Sequence, residues 1–207
     1  PVAQMQKGTR PVRALHVRRV VAGAVMDDIN GRWKDCADML ANSDSVSSVA
    51  FFFAVKLQKE IGIPVAFIDC PWGGMRIESF IPDEGYKAIN VALPVHGKTP
   101  DLKRAEAELR AVADDAKVAA EAAAKGRTVG FSTMYPIYGQ APNNICNAMI
   151  SPLAPYALRG AIWYQGESNH GQPDYFQKLQ ALSAGWSQIF QVKDIPILQV
   201  QIAPNHM

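Results

Sequence analysis

Two short apolar runs decide what this chain can fold into. "PVAFID" (residues 64–69) and "AIWY" (residues 161–164) are too brief for helices and lack polar alternation. Each stops abruptly, the first at "CPWGGMR" and the second at "QGESNH". Unalternating apolar runs of this length suit strands covered on both faces, as in parallel sheets flanked by helices. The surroundings agree. "SDSVSSVAFFFAVKLQKEIGIP" (43–64) opens on Ser and Asp capping candidates, closes on Gly62, and spaces Val46, Val49, Ala50, Phe53 and Leu57 as one helical face. "QPDYFQKLQALSAGWSQIF" (172–190) predicts an amphipathic helix with Tyr175, Phe176, Leu179, Leu182 and Trp186 inward. "VRALHVRRVV" (12–21) suits an edge or half-buried strand, residues 22–42 read as turns anchored by Trp33 and Met39, and "IPILQVQIAP" (195–204) closes as a strand. Helix, strand and glycine-bearing turn in succession is the rhythm of an α/β sheet.

Two stretches fall outside that rhythm. Residues 99–126 form an alanine-rich segment with Thr99 as cap and Gly126 as exit, a helix of roughly 38 Å at about 1.5 Å per residue. It reads as a partly solvated helix or an insertion, without catalytic groups. Residues 130–160 are rich in Pro, Asn and Gly and read as loops around one short helix near Ile145–Ser151.

Charge and cysteine usage narrow the chemistry. With 21 basic and 19 acidic residues the net charge is +2, without the basic block that nucleic acid or an anionic membrane would call for. No apolar run approaches the roughly 20 residues of a membrane span. Cys36, Cys70 and Cys146 lack CxxC spacing, so they read as buried thiols rather than metal ligands, and no cofactor or metal is expected.

In open α/β sheets ligands sit at the carboxyl ends of the strands, so both abrupt exits point to one crevice. Gly73 and Gly74 leave a backbone N–H uncovered by side chain, a group able to stabilise an oxyanion. "QGESN" brings Gln165 and Asn169 as amide donors around Gly166, Glu167 as acceptor and Ser168 as either. Arg76 and Glu78 read as a local ion pair, His170 as a surface residue, and Asn143, Asn144 and Asn147 as lining the crevice or bonding loop backbone.

These residues carry a resemblance. "PLAPYALRGAIWYQGESN" is similar to the signature of the sialate O-acetylesterase family of SGNH-type hydrolases, "IPVAFIDCPWGGMRIESFI" resembles its preceding block, and "NAMISPL" fits just upstream. The resemblance implies a flavodoxin-like three-layer α/β/α domain over residues 1–207 with a mainly parallel sheet. It implies removal of O-acetyl groups from sialic acid or related glycans, without a cofactor, and leans toward an extracellular or periplasmic setting. The family's mechanism uses a Ser in a GQSN block and an Asp and His in a DxxHP block. Neither is present: "GQAP" (139–142) has Ala141 where the serine would stand, and no Asp lies three residues before His16, His96, His170 or His206. The chain also begins at Pro1 and stops soon after a strand, so the expectation is a domain incomplete at both ends that needs the remainder of its own polypeptide.

Carried over by position, Gly73, Gln165, Glu167 and Asn169 are the candidates for oxyanion-hole or orienting roles, and Gly74, Met75, Gly166 and Ser168 for substrate contact. Met75 departs from the commoner WGGT and would alter the pocket wall. In the wider class this strand ends in GxND, whose Asn donates to the oxyanion. Aligning on Gly166 puts Ser168 there, and aligning on the strand end puts Glu167 there. Gln165 and Asn169 are the better donors chemically. Two other readings stand beside the esterase: a carbohydrate-binding or interaction module that keeps the fold without the triad, and a small hydrolase using Ser168 itself.

Overall fold

The computed structural model describes residues 12–36, 46–91, 124, 141–154 and 156–203. The stretch 99–126 lies outside the described residues apart from Ala124, as do Met39, His96 and His206.

Strand β1 (Arg13–Val17) occupies the middle of a three-stranded sheet, antiparallel to β2 (Gly31–Asp35) and parallel to β3 (Ala66–Asp69). Of the two alternatives expected for it, edge or half-buried, the edge is excluded: β1 is central, with Arg13 exposed and His16 half-buried. The β2 residues were read as turn because "GRWKD" alternates charged side chains with a single aromatic; pairing to β1 outweighs that weak pattern. Helix α1 (Ser48–Ile61) makes the crossover to β3. Ser47 Oγ accepts the Ala50 N–H, and Gly62, at φ 68°, ends the helix in the left-handed region while donating to Gln58 O.

Alternation along β1 buries both faces of the sheet. Leu15 and Val17 join the main core, whereas Val12 and Ala14 pack with Cys36, Phe51, Ala54 and Val55 under α1. The inward stripe of α1 is therefore Phe51, Ala54, Val55 and Gln58, about 100° round the helix from the expected face. Phe52 and Phe53 point outward, 51% and 41% exposed. Three consecutive phenylalanines satisfy either stripe, and small Ala54 permits the close approach that decides between them.

The second half is a parallel βαβ unit. Strand β4 (Ala161–Trp163) pairs with β5 (Ile197–Gln199), and α3 (Tyr175–Ile189) connects them. Leu182 and Trp186 are buried as expected, but Phe176 is 70% exposed. Between the halves lie a 3₁₀ turn (Ile77–Phe80), a short helix α2 (Asp83–Ala88) and a π-helical turn (Cys146–Ile150). The π turn falls where a short helix was expected.

Aromatic side chains join these pieces. Phe80 meets Trp163 edge-on at 5.2 Å, Trp163 meets Trp186 at 6.0 Å, and the Trp186 indole donates to Phe80 O at 3.0 Å. At the α2–α3 crossing, glycine faces glycine. A Cβ on Gly185 would lie 2.5 Å from Pro82 Cγ and 3.0 Å from Gly85 Cα, and one on Gly85 would collide with the Ala181 carbonyl. Gly85→Ala would stabilise an isolated helix by about 1 kcal/mol. Here it is expected to destabilise by about 1–3 kcal/mol through overpacking. Urea unfolding midpoints check the sign: an unchanged or raised midpoint would show that the two helices separate freely.

Candidate functional site

The polar exits of β3 and β4 meet, and Gln165 makes the junction. Its Nε2 donates to the Met75 carbonyl at 2.9 Å, across 90 positions of sequence, and to Asn169 Oδ1 at 2.7 Å. Asn169 Oδ1 also accepts the Ile77 N–H at 3.0 Å, while Asn169 Nδ2 donates to Glu78 Oε2 and Gln172 Oε1, both at 2.9 Å. Tyr175 donates its hydroxyl toward Gln165 O and Oε1 at 2.8 Å and accepts the Trp163 indole N–H at 3.1 Å. The "QGESN" turn, a 3₁₀ turn over Glu167–Asn169, is thus pinned to the "GGMRIE" turn by side chains in their complete bonding complement.

A buried ion pair lies behind this junction. Glu78 is 3% exposed and receives Lys178 Nζ at Oε1, 2.8 Å away; Lys178 also reaches Asp174 Oδ1 at 3.0 Å and Gln172 Oε1 at 2.5 Å. Glu78 therefore pairs across 100 positions, not with neighbouring Arg76 as its sequence position suggested. Burial raises the Glu78 carboxyl, but hydrogen bonds from Lys178 and Asn169 outweigh it and hold the group below the usual carboxylate range. Burial pushes the Lys178 ammonium down, and its bonds to Glu78 and Asp174 outweigh that, leaving it above its ordinary value.

The geometry sorts the candidate residues. Asn169 is 3% exposed and both its amide hydrogens are engaged, as are those of Gln165, so neither amide is free to donate to an oxyanion. Met75 is 1% exposed and packs in the core, so its side chain does not form a pocket wall. Gly73 and Glu167 are exposed, Gly166 and Ser168 half-buried. A Cβ on Gly73 would meet nothing within 4 Å, while Gly74, at φ 76°, makes the left-handed turn that exposes this backbone.

Other groups resolve plainly. His16 Nδ1 lies 3.0 Å from Asp69 Oδ2, which also accepts the Ser47 N–H at 3.2 Å, so one buried carboxylate ties β1, β3 and the start of α1. Pairing of His16 with Asp69 follows from strand register, a signal the sequence spacing of His and Asp did not carry. Ser168 bonds no histidine among the described residues. Asn143 Nδ2 donates to the Asp83 carboxylate at the start of α2, and Asn147 Nδ2 donates to the loop carbonyl of Ala22 at 3.2 Å. Burial, aided by Asp69, pushes the Cys70 thiol up to about 12, and burial takes Cys146 to about 12 and Cys36 to about 11, so none is a ready nucleophile at neutral pH. Among the described residues no group of His, Cys, Asp and Glu could hold a metal, and no helix is long and apolar enough to cross a membrane.

Residues 121–207 match the family model described as carbohydrate esterase, sialic acid-specific acetylesterase. Sialate O-acetylesterase of Rattus norvegicus is 30% identical over 173 residues, which span 81% of this chain. Over these residues the chain is similar to the sialate O-acetylesterase family. Sialate O-acetylesterase of Homo sapiens is 26% identical over 188 residues, or 86% of this chain. The chain spans about a third of these relatives, 30% of the rat protein and 29% of the human one. Among solved structures, a carbohydrate acetylesterase from Xanthomonas citri superposes with a TM-score of 0.65 at 22% identity, covering 96% of this chain and 36% of that one. At that identity the likeness speaks for the fold, an α/β one.

Acid should dissolve this junction before the rest of the fold. Glu78 sits below its ordinary value when folded, so its contribution to stability is present above the unfolded carboxylate range and is lost as pH falls through the lowered value. Urea midpoints from about pH 7 down to about pH 3 should fall steeply for the natural chain and more gently for Glu78→Gln, which starts lower. Parallel curves would place the acid sensitivity elsewhere.

Proposed function

We propose that this chain forms the oxyanion side of a carbohydrate O-acetylesterase site in an SGNH-type, three-layer α/β/α domain spanning residues 1–207. One observation carries the reading. The Gln165 bond to Met75 O fastens the QGESN exit to the WGGM exit, leaving exposed Gly73 backbone and exposed Glu167 at the ends of neighbouring elements.

Ester hydrolysis by this family needs a serine Oγ to attack the acetyl carbonyl carbon while histidine takes its proton. The carbonyl oxygen becomes an oxyanion, the sugar oxygen leaves with that proton, and water then releases acetate. The nucleophile and the His–Asp pair come from outside this sequence, which has neither block. This chain's share is electrostatic. The Gly73 N–H, with Gly74 beside it, meets the developing oxyanion, and no side chain at position 73 obstructs the approach. Gln165 and Asn169 position the turn, Glu167 orients the substrate or the base, and Gly166 and Ser168 complete the floor. The acyl group is acetyl and the alcohol is a sugar, sialic acid or a related glycan.

Fluorophosphonate labelling of the 207-residue chain, read by mass spectrometry with acetate release measured alongside, is expected to give neither label nor acetate while circular dichroism shows a folded α/β protein. Acetate release should appear once the chain is joined to the rest of its polypeptide. A stoichiometric label on a serine of this chain would sink the proposal, and a longer polypeptide that binds acetylated sugar without hydrolysing it would favour the binding module. In the active polypeptide, replacing the Trp72–Gly73 amide by an ester should lower kcat by about 10²–10³-fold. Gly73→Ala should be tolerated.

A further inference from the structure

We propose that Glu78 is a positioning residue: its carboxylate, held by Lys178, sets which way the Asn169 and Gln165 carboxamides face, and these fix the backbone of the Gly73–Met75 turn. The inference rests on the proposed function only for what that turn does in catalysis.

A carboxamide has two ends of nearly equal shape and opposite polarity, so its orientation is chosen by its neighbours. Two consecutive residues choose for Asn169. Ile77 offers a buried backbone N–H, 3.0 Å from Oδ1, and Glu78 offers a buried carboxylate oxygen, 2.9 Å from Nδ2. Turning the amide over would set N–H against N–H and oxygen against carboxylate, so one orientation survives. Gln165 then has no choice. Asn169 Oδ1 is an acceptor, so Gln165 must present Nε2 to it at 2.7 Å. Its second amide hydrogen is directed to the Met75 carbonyl at 2.9 Å, and its Oε1 is left for the Tyr175 hydroxyl at 2.8 Å.

The relay depends on charge at its origin. A neutral group at position 78 could donate as well as accept, and the constraint on Asn169 would relax. Lys178 keeps the carboxylate fixed: its three hydrogens go to Glu78, Asp174 and Gln172. Gln172 Oε1 in turn accepts the other Asn169 amide hydrogen at 2.9 Å, so Lys178 orients Asn169 from two sides. Polarity thus passes from α3 to Glu78, Asn169, Gln165 and finally the Met75 carbonyl. The Met75 carbonyl belongs to the rigid Met75–Arg76 peptide, so fixing it anchors the end of the turn from which the Gly74 and Gly73 amides extend. Two glycines in sequence would otherwise be the most mobile backbone in the site.

The test is a polarity swap, read by NMR on the 207-residue chain. Asn169→Asp places a second carboxylate against Glu78. Adding Glu78→Gln returns one amide and one carboxylate to the pair, and the carboxylate introduced at position 169 still accepts from Ile77 and Gln165. Loss of a charge-assisted hydrogen bond should speed Ile77 amide exchange about tenfold or more in Asn169→Asp and in Glu78→Gln. Backbone order parameters should fall at Gly73, Gly74 and Met75. The double variant should recover both in part, the bond to Gln172 Oε1 alone staying lost because a carboxylate cannot donate. Urea midpoints separate global loss of stability from this local effect. Recovery of the midpoint without recovery of order at Gly73–Met75 would reduce Glu78 to a structural role and overturn the proposal, as would additive effects of the two substitutions. In the acetate-releasing polypeptide, Glu78→Gln should lower kcat about tenfold with little change in KM. A natural polypeptide that releases no acetate would overturn the proposed function, and the NMR swap would still decide this inference.

Discussion

A buried carboxylate 3.0 Å or less from both an ammonium and a carboxamide is expensive to desolvate, and the fold around Glu78 is arranged so that none of its bonding capacity is wasted. Lys178 comes from α3, Asn169 from the turn after β4, and Glu78 itself from the turn after β3. Two stretches far apart in sequence, the turn bearing Glu78 and the run from Asn169 to Lys178, must meet before any of these groups is satisfied. Breaking one member would leave the others buried and unpaired, at a cost of about 3–5 kcal/mol. The polar junction and the aromatic group of Phe80, Trp163 and Trp186 are neighbours, because Phe80 and Glu78 share one 3₁₀ turn. Apolar packing supplies the driving force there, and the ion pair with its amides supplies the register.

This division explains the placement of chemistry. Groups with every hydrogen engaged hold geometry, and in the proposed function the exposed groups, the Gly73 backbone and Glu167, are the ones that meet a ligand. Gln165 and Asn169 are the instructive pair. Their residue types suit oxyanion donors, yet their surroundings commit both to protein partners. Preorganised donors need such support, since an amide that must be turned into place at each turnover loses the advantage of being fixed in advance.

How much was legible follows from sequence separation. Strands β3, β4 and β5 and helices α1 and α3 were readable, because apolar runs, caps and periodicity are local properties. Helix α1 was found but its inward face was displaced, since Phe51, Phe52 and Phe53 satisfy two stripes at once. Strand β2 escaped because its stability comes from pairing with β1 rather than from its own side chains. In the site, the residues of QGESN and WGG were visible as polar exits, and the resemblance carried them further. The bonds between them span about 90 positions, a contact that no local pattern encodes. For the same reason Glu78 looked like a partner for Arg76, the nearest cation in sequence, when its partner was a full helix away.

The glycine crossing of α2 and α3 acts as a gauge block. Each helix already carries the smallest residue there, so the gap cannot be narrowed by substitution at Gly85 or Gly185, and any enlargement pushes the axes apart. Helix α2 begins three residues after the 3₁₀ turn that bears Glu78, and α3 carries Lys178 two turns before the crossing. The thickness of two glycine backbones therefore sets the reach between carboxylate and ammonium. Substitutions on the solvent face of α3 leave this spacing untouched, whereas any side chain at the crossing changes it.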